Sequence, residues 1–201
     1  AYAYAYAYTS ALFLSCCRCH SATISLLCAA GASINQANSV GATPLYAACM
    51  QGHLDAVQQL CSYGATRTAV VHGRPADVLQ VAEAEGFDVI ASYLKSSLHW
   101  TTPLHHLGVI DAARARCLLR GGASLHVSHG PAGDTPLSLA RRLHAARGAE
   151  NGTAAALVLE AAQPWRPSTH ALFPNAARAR AVEIVLITHR LSRLWGACGQ
   201  A

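Results

Sequence analysis

The clearest pattern of apolar positions lies in residues 43–65. Small residues fill Ala47–Cys49, and the apolar side chains that follow recur at helical spacing at Leu54, Val57 and Leu60. A stripe with that period predicts a helix with one buried face. The small residues before it allow a neighbouring helix to approach closely. The segment is therefore predicted to form two short helices that pack against each other.

The boundaries of these two helices are marked by residues suited to helix ends. Thr43 can accept a hydrogen bond from a free amide at the start of the first helix, and Pro44 fits the first turn, where its missing N–H costs nothing. Gly52 allows the chain to turn back, and Gly64 ends the second helix in a left-handed conformation.

The same unit recurs along the chain with a period of about 33 residues. Units begin near residues 10, 43, 77, 102 and 135. In the first unit Ser10 takes the place of the threonine, and Cys19 replaces the turn glycine, which makes that turn less favourable. The unit at Asp77 keeps its helical pattern but lacks the Thr-Pro entry motif. The spacing between residues 77 and 102 is short, so we expect a shortened loop and a local break there.

The unit TPLYAACMQGHLDAVQQLCSYGA (residues 43–65) closely resembles the ankyrin repeat, and the upstream ending LLCAAGASIN is typical of it. Asn35, Asn38 and Gly41 fit the hairpin of that family. The resemblance implies an all-α fold, an ankyrin-repeat solenoid of stacked antiparallel helix pairs with short β-hairpin loops, over residues 10–163. The last of these units carries an insertion around residues 148–152.

Both ends of the chain depart from the repeat pattern. Residues 1–9 form a low-complexity Ala-Tyr segment, to which we assign no function. Residues 164–194 resemble a W-x-P-x-x-H-x-L-F-P segment that follows ankyrin arrays in some eukaryotic proteins. We interpret them as a divergent last repeat or a C-terminal cap, with residues 195–201 as a tail.

The resemblance implies a monomeric protein–protein interaction scaffold that binds its partner on a concave surface, without catalysis. Partner contacts are expected at the loop tips and at the two positions before each turn glycine. These positions are Arg18, Asn38, Ser39, Val40, Ala42, Met50, Gln51, Glu85, Val109, Ile110 and Arg142. Val109 and Ile110 would either form an exposed apolar hot spot or pack beneath the long hairpin predicted at residues 124–134.

Charge offers an alternative function. The chain is 52% apolar and only 12% charged, which favours a folded core over disorder. Residues 1–100 carry four basic and five acidic side chains, whereas residues 101–201 carry eleven and five. The basic half could bind a nucleic acid or an acidic partner. Its arginines fall at helix-surface spacing without interleaved aromatic residues, which favours a solvated face.

The side chains that could carry chemistry do not form a recognisable site. Cys16, Cys17, Cys19 and His20 lie close together, but zinc sites need two ligand pairs that converge, and the repeat pattern already accounts for most of these residues. No catalytic motif is found among the eleven histidines or elsewhere. We expect no metal and no cofactor. Eight irregularly spaced cysteines indicate reduced thiols in an intracellular, cytoplasmic protein, and no apolar stretch is long enough to span a membrane.

Overall fold

A computed structural model describes residues 9–128, 133–147, 152–164 and 166–198. The Ala-Tyr repeat of residues 1–8, most of the predicted insertion near residue 150, and Trp165 lie outside the described residues. The chain divides into two compact units. The first comprises residues 1–110 and 129–134, and the second comprises residues 111–128 and 135–201.

The first unit is built from three consecutive helix pairs. These are α1 (Ala11–Cys17) with α2 (Ser21–Ala29), α3 (Pro44–Met50) with α4 (Leu54–Ser62), and α5 (Val78–Ala84) with α6 (Asp88–Ser96). The first helices α1, α3 and α5 pack side by side in that order, and the second helices α2, α4 and α6 form a parallel layer. The predicted stack of helix pairs is confirmed for this part of the chain.

Each first helix begins at a side chain that accepts a backbone hydrogen bond. The hydroxyl of Ser10 accepts from the amide of Phe13 at 3.2 Å, and the hydroxyl of Thr43 accepts from that of Tyr46 at 3.2 Å. In the third pair the carboxylate of Asp77 accepts from the amide of Leu79 at 2.9 Å. This unit therefore lacks the Thr-Pro motif, but its first helix is still capped, since aspartate is as good an N-cap as threonine.

The turns inside the helix pairs adopt the left-handed backbone that the sequence predicts. Gly52 has a φ of +73° and Gly86 a φ of +77°, while Gly64 after α4 has a φ of +83°. Cys19 holds the equivalent place in the first pair with a φ of +54°. A side chain in this region costs about 1–2 kcal/mol, so the first turn is less favourable, as predicted.

The loops between pairs form fewer hairpins than the sequence predicts. Strands β1 (Thr68–Val71) and β2 (Arg74–Asp77) pair antiparallel, with Val71 opposite Arg74. His72 and Gly73 connect them, and both have positive φ, as a two-residue type I′ turn requires. Within the described residues this is the one two-stranded sheet, because residues 33–42 form turns without strand pairing, and in the described part of residues 124–134 only Asp134 takes part in an isolated bridge.

The core of the first unit lies between the two helix layers. It contains large apolar side chains from all three pairs that are almost fully buried, among them Leu12, Ile24, Leu45, Leu60, Ile90 and Leu94. After α6 the regular pattern breaks, because the next first helix is only the 3₁₀ turn Pro103–His106 and no strand precedes it. The shortened joint that the spacing predicts is therefore present in the structure.

In its described residues the second unit contains four α-helices and a 3₁₀ helix. These are α7 (Ala112–Arg120), α8 (Pro136–Arg147), α9 (Ala154–Ala161), the 3₁₀ helix Pro167–Leu172 and α10 (Asn175–Cys198). The 3₁₀ helix packs against α7 and α9 and buries Leu172 and Thr169. None of the described helices is long and apolar enough to cross a lipid bilayer.

Candidate binding groove

A groove lies between α1 and α3 and the loops that follow each helix pair. Phe13 and Tyr46, which occupy equivalent positions in the first two repeats, form part of its lining, and the small side chain of Ala47 leaves space beside them. Val40 and Val71 contribute from the loops. The enclosed volume is about 240 Å³.

A second, more polar recess adjoins the groove at the ends of the first helices. Thr9, Leu14, Cys17, Arg18 and Gln51 line its volume of about 520 Å³. Cys17 and Gln51 line both recesses, so the two form one continuous surface. The described residues that line the two recesses include no aspartate or glutamate.

The loop on one side of the groove is organised by Asn38. Its side-chain oxygen accepts hydrogen bonds from the amides of Val40 at 3.1 Å and Ala42 at 2.9 Å. The carbonyl of Val40 in turn accepts from the amide of His72 at 2.8 Å, which joins this loop to the β1–β2 hairpin. Two loops from successive repeats are thereby held together as one wall of the groove.

A histidine connects the first two repeats beneath this surface. His53 Nε2 lies 3.1 Å from the carbonyl oxygen of Cys17, and since a carbonyl can only accept, the ring must donate. The resemblance implies that histidine at this position links repeats, and the contact agrees with it. The bond also fixes the end of α1, where Arg18 follows.

The three residues that end the first helices form a row along the surface. Arg18 follows α1, Gln51 follows α3 and Glu85 follows α5, and all three side chains are exposed. Among the described residues, no hydrogen bond or ion pair engages the guanidinium of Arg18 or the carboxylate of Glu85. The row thus runs from positive through neutral to negative.

The predicted contact residues fall into three groups. Arg18, Met50 and Gln51 are accessible and meet at the two recesses, together with Asn38 and Val40 from the adjacent loop. Ser39 at the loop tip and Glu85 at the end of the row are exposed but line neither recess. Val109 and Ile110 follow the 3₁₀ turn, and Arg142 is exposed on α8 of the second unit.

Burial and hydrogen bonding bear on four of the predicted contact residues. Ile110 is only 7% exposed and Val109 is half-buried, so of the two alternatives predicted for this pair the exposed hot spot is wrong for Ile110. Ala42 lines the groove wall but is only 6% exposed because it packs with Phe13 and Ala47. The side-chain oxygen of Asn38 accepts hydrogen bonds within its own loop and so shapes the groove, and its contact with a partner stays a prediction.

Sequence reasoning missed six residues that line the groove. They are Phe13, Cys17, Tyr46, Ala47, Val71 and His72. Phe13 and Tyr46 could have been found from the sequence. Both occupy the position that His105 holds in the repeat motif, and in both repeats a larger, more apolar aromatic ring replaces the imidazole. Val71 and His72 could not, since they reach the groove only through the pairing of β1 with β2.

Two further histidines and the buried thiols are held by the fold. His106 is buried with its Nδ1 2.8 Å from the Tyr93 hydroxyl and its ring edge-on to Trp100, and His105 Nδ1 lies 2.7 Å from the Thr102 hydroxyl. Burial raises the pKa of the Cys16 thiol from 9.0 to about 12. No cluster of three or more potential metal ligands occurs in the part of the chain that the structure describes.

Several arginines of the basic half have local partners. Arg120 donates from Nε to the carbonyl of Ala171 at 2.9 Å, and Arg178 donates from Nε to His170 Nε2 at 3.2 Å. These contacts attach helices to the 3₁₀ segment. They reduce the number of arginines that are available to an anionic ligand, which weakens the alternative function predicted from charge.

Comparison with known proteins identifies the repeats. Residues 5–70 match a family model described as ankyrin repeats (3 copies). The chain therefore contains ankyrin repeats in this segment, which includes both helix pairs that form the groove. A search of curated proteins gives no match to the chain. The segment resembling W-x-P-x-x-H-x-L-F-P lies outside the matched residues.

Proposed function

We propose that the ankyrin repeats of this chain bind an extended segment of a partner protein in the groove between α1 and α3. Ankyrin repeat domains usually mediate protein–protein interaction, and stacked repeats present an extended concave surface for it. The observation that carries the proposal is the continuity of the groove with the recess at Arg18. Together they offer an apolar slot and a charged rim on one surface.

The apolar part of the groove, taken without the adjoining polar recess, has the size of one side chain. Its volume of about 240 Å³ lies below the ~300–1,000 Å³ of typical small-molecule pockets. It exceeds the ~150 Å³ of a cavity that holds benzene. One large apolar side chain therefore fits, and the rest of the partner segment would lie along the rim.

The chemistry of the groove supports binding without catalysis. Ankyrin repeats are typically non-catalytic binding modules. Cys17 is the one thiol that lines the groove. Burial raises its pKa, although Arg18 partly offsets this. A thiol with a raised pKa is largely protonated near neutral pH and so is a poor nucleophile.

The proposal extends to the rest of the chain. The helix pair α5 and α6, and the units that the sequence places near residues 102 and 135, continue the repeat pattern beyond the matched segment, up to residue 163. We propose residues 164–194 as the cap of the array, since the 3₁₀ helix Pro167–Leu172 buries Leu172 against α7 and α9. Terminal repeats of such arrays need a cap with a polar outer face.

An affinity capture with two matched variants tests the groove. Met50→Arg places a charge in the groove, whereas Leu26→Arg makes the same type of change on α2, where Leu26 is 72% exposed and lines neither recess. Capture should persist with the wild-type chain and Leu26→Arg and be lost with Met50→Arg. A partner that is retained equally by all three, with unchanged circular dichroism, would show that this groove is not the binding surface.

A further inference from the structure

We infer that the bound segment carries an acidic residue and a basic residue on opposite sides of the apolar residue that enters the groove. The inference rests on the proposed function and specifies its partner. The partner is an extended peptide segment whose acidic side faces Arg18 and whose basic side faces Glu85.

The charges that select this pattern lie at equivalent positions of successive repeats. Arg18, Gln51 and Glu85 each end a first helix, so the fold sets them in one line while leaving their chemistry free. Nothing described in the structure neutralises Arg18 or Glu85, although Glu83 nearby is paired with Lys95 at 2.6 Å. Unpaired opposite charges at the two ends of a row favour a ligand of complementary polarity.

The spacing of the ligand charges follows from helix packing. α1, α3 and α5 pack in sequence, and packed helices lie about 8–10 Å apart. Arg18 and Glu85 are two helix spacings apart, which gives about 16–20 Å. An extended chain rises about 3.3 Å per residue. The acidic and basic residues should therefore lie about five to six positions apart, with the apolar residue between them and nearer the acidic one.

The apolar residue is placed nearer the acidic end because the groove lies between α1 and α3. Phe13 and Cys17 come from α1, while Tyr46 and Met50 come from α3, so the slot is closer to Arg18 than to Glu85 along the row. A peptide could lie along the row in either chain direction. In both directions its carboxylate faces Arg18, so the pattern of charges does not depend on the direction.

Selection from a random peptide library displayed on phage tests the pattern with the purified chain. The wild-type chain should enrich peptides with one acidic and one basic residue flanking an apolar residue. Arg18→Glu should enrich peptides with two basic residues, and Glu85→Arg should enrich peptides with two acidic residues. Arg116→Glu on α7 and Glu160→Arg on α9 make the same charge changes at exposed positions elsewhere, and they should select the wild-type pattern.

The affinity of a selected peptide gives a second readout by fluorescence anisotropy. A wild-type peptide should bind Arg18→Glu about tenfold more weakly at low salt, and Arg18→Gln by a smaller factor. The difference should shrink as salt screens exposed charges. Peptides that require Met50 but show no charge preference, or the same preference with both charge variants, would overturn the inference and leave the groove intact. If the wild-type chain enriches no peptide whose binding is abolished by Met50→Arg, the proposed function is wrong, and so is the inference.

Discussion

Replacing Gly41 with alanine should destabilise the chain more than the same replacement at Gly64. Both glycines have a left-handed backbone, with φ of +87° and +83°. Their surroundings differ, because a Cβ at Gly41 would lie 1.8 Å from the carbonyl oxygen of Val70 in the β1–β2 hairpin. A Cβ at Gly64 would have no neighbouring atom within 4 Å. The two variants therefore share the backbone strain and differ in the contact.

The magnitude follows from these two terms. A side chain in the left-handed region costs about 1–2 kcal/mol, which is the whole expected effect at Gly64. At Gly41 the atom in the way belongs to the backbone, so the loop and the hairpin must separate. The hydrogen bond from the His72 amide to the Val40 carbonyl, 2.8 Å long, would then be lost at about 0.5–1.5 kcal/mol. The total expected for Gly41→Ala is about 1.5–3.5 kcal/mol.

Urea unfolding followed by circular dichroism measures both variants against the wild-type chain. Gly41→Ala should lower the unfolding midpoint more than Gly64→Ala, and it should also weaken binding in the groove, since Val40 and Val71 line it. Gly64→Ala should leave binding unchanged once the chain is folded. Equal loss of stability in the two variants would refute the close contact between the loop and the hairpin.

Three further results are expected. Asn38→Ala should lower the free energy of unfolding by about 1–3 kcal/mol, because two loop amides lose their acceptor. In urea unfolding, Asn38→Asp should retain most of the wild-type stability. Arg67→Met should cost about 2 kcal/mol by thermal unfolding, since this guanidinium donates to two carbonyls at the end of α6. Burial raises the pKa of Cys16 and Cys49 to about 12, so native alkylation near pH 8, read by mass spectrometry, should modify exposed Cys117 and spare both. The folded chain keeps these two protons when the unfolded chain loses them, so the free energy of unfolding should fall as the pH rises above about 9.

The sequence predicts the helix pairs of the first unit because their signals are local. A cap such as Thr43, a turn glycine such as Gly52 and an apolar stripe each act within a few residues. Even the unfavourable turn at Cys19 could be predicted from its place in the repeat. Asp77 shows that the physical role of a position survives where the family motif does not.

The loops were harder to predict because their form depends on contacts between repeats. Residues 33–42 and 68–77 hold similar places after their helix pairs, yet only the second forms paired strands. His72 and Gly73 supply the two positive φ angles of its turn, whereas the first loop is closed by the side chain of Asn38. An asparagine in this loop is compatible both with paired strands and with an unpaired turn. Only the structure shows that its oxygen points inward.

The groove could be predicted in position and only partly in composition, and the repeat period explains both outcomes. Positions that face the core repeat their chemistry, as Leu12 and Leu45 do, because the same space must be filled in each pair. Positions that end the first helices face solvent, so Arg18, Gln51 and Glu85 meet no such constraint. The fold places these side chains in one row but does not determine their chemistry, so their chemistry can match a partner. The residues that differ most between equivalent positions are therefore the ones in which we expect the specificity of this surface to lie.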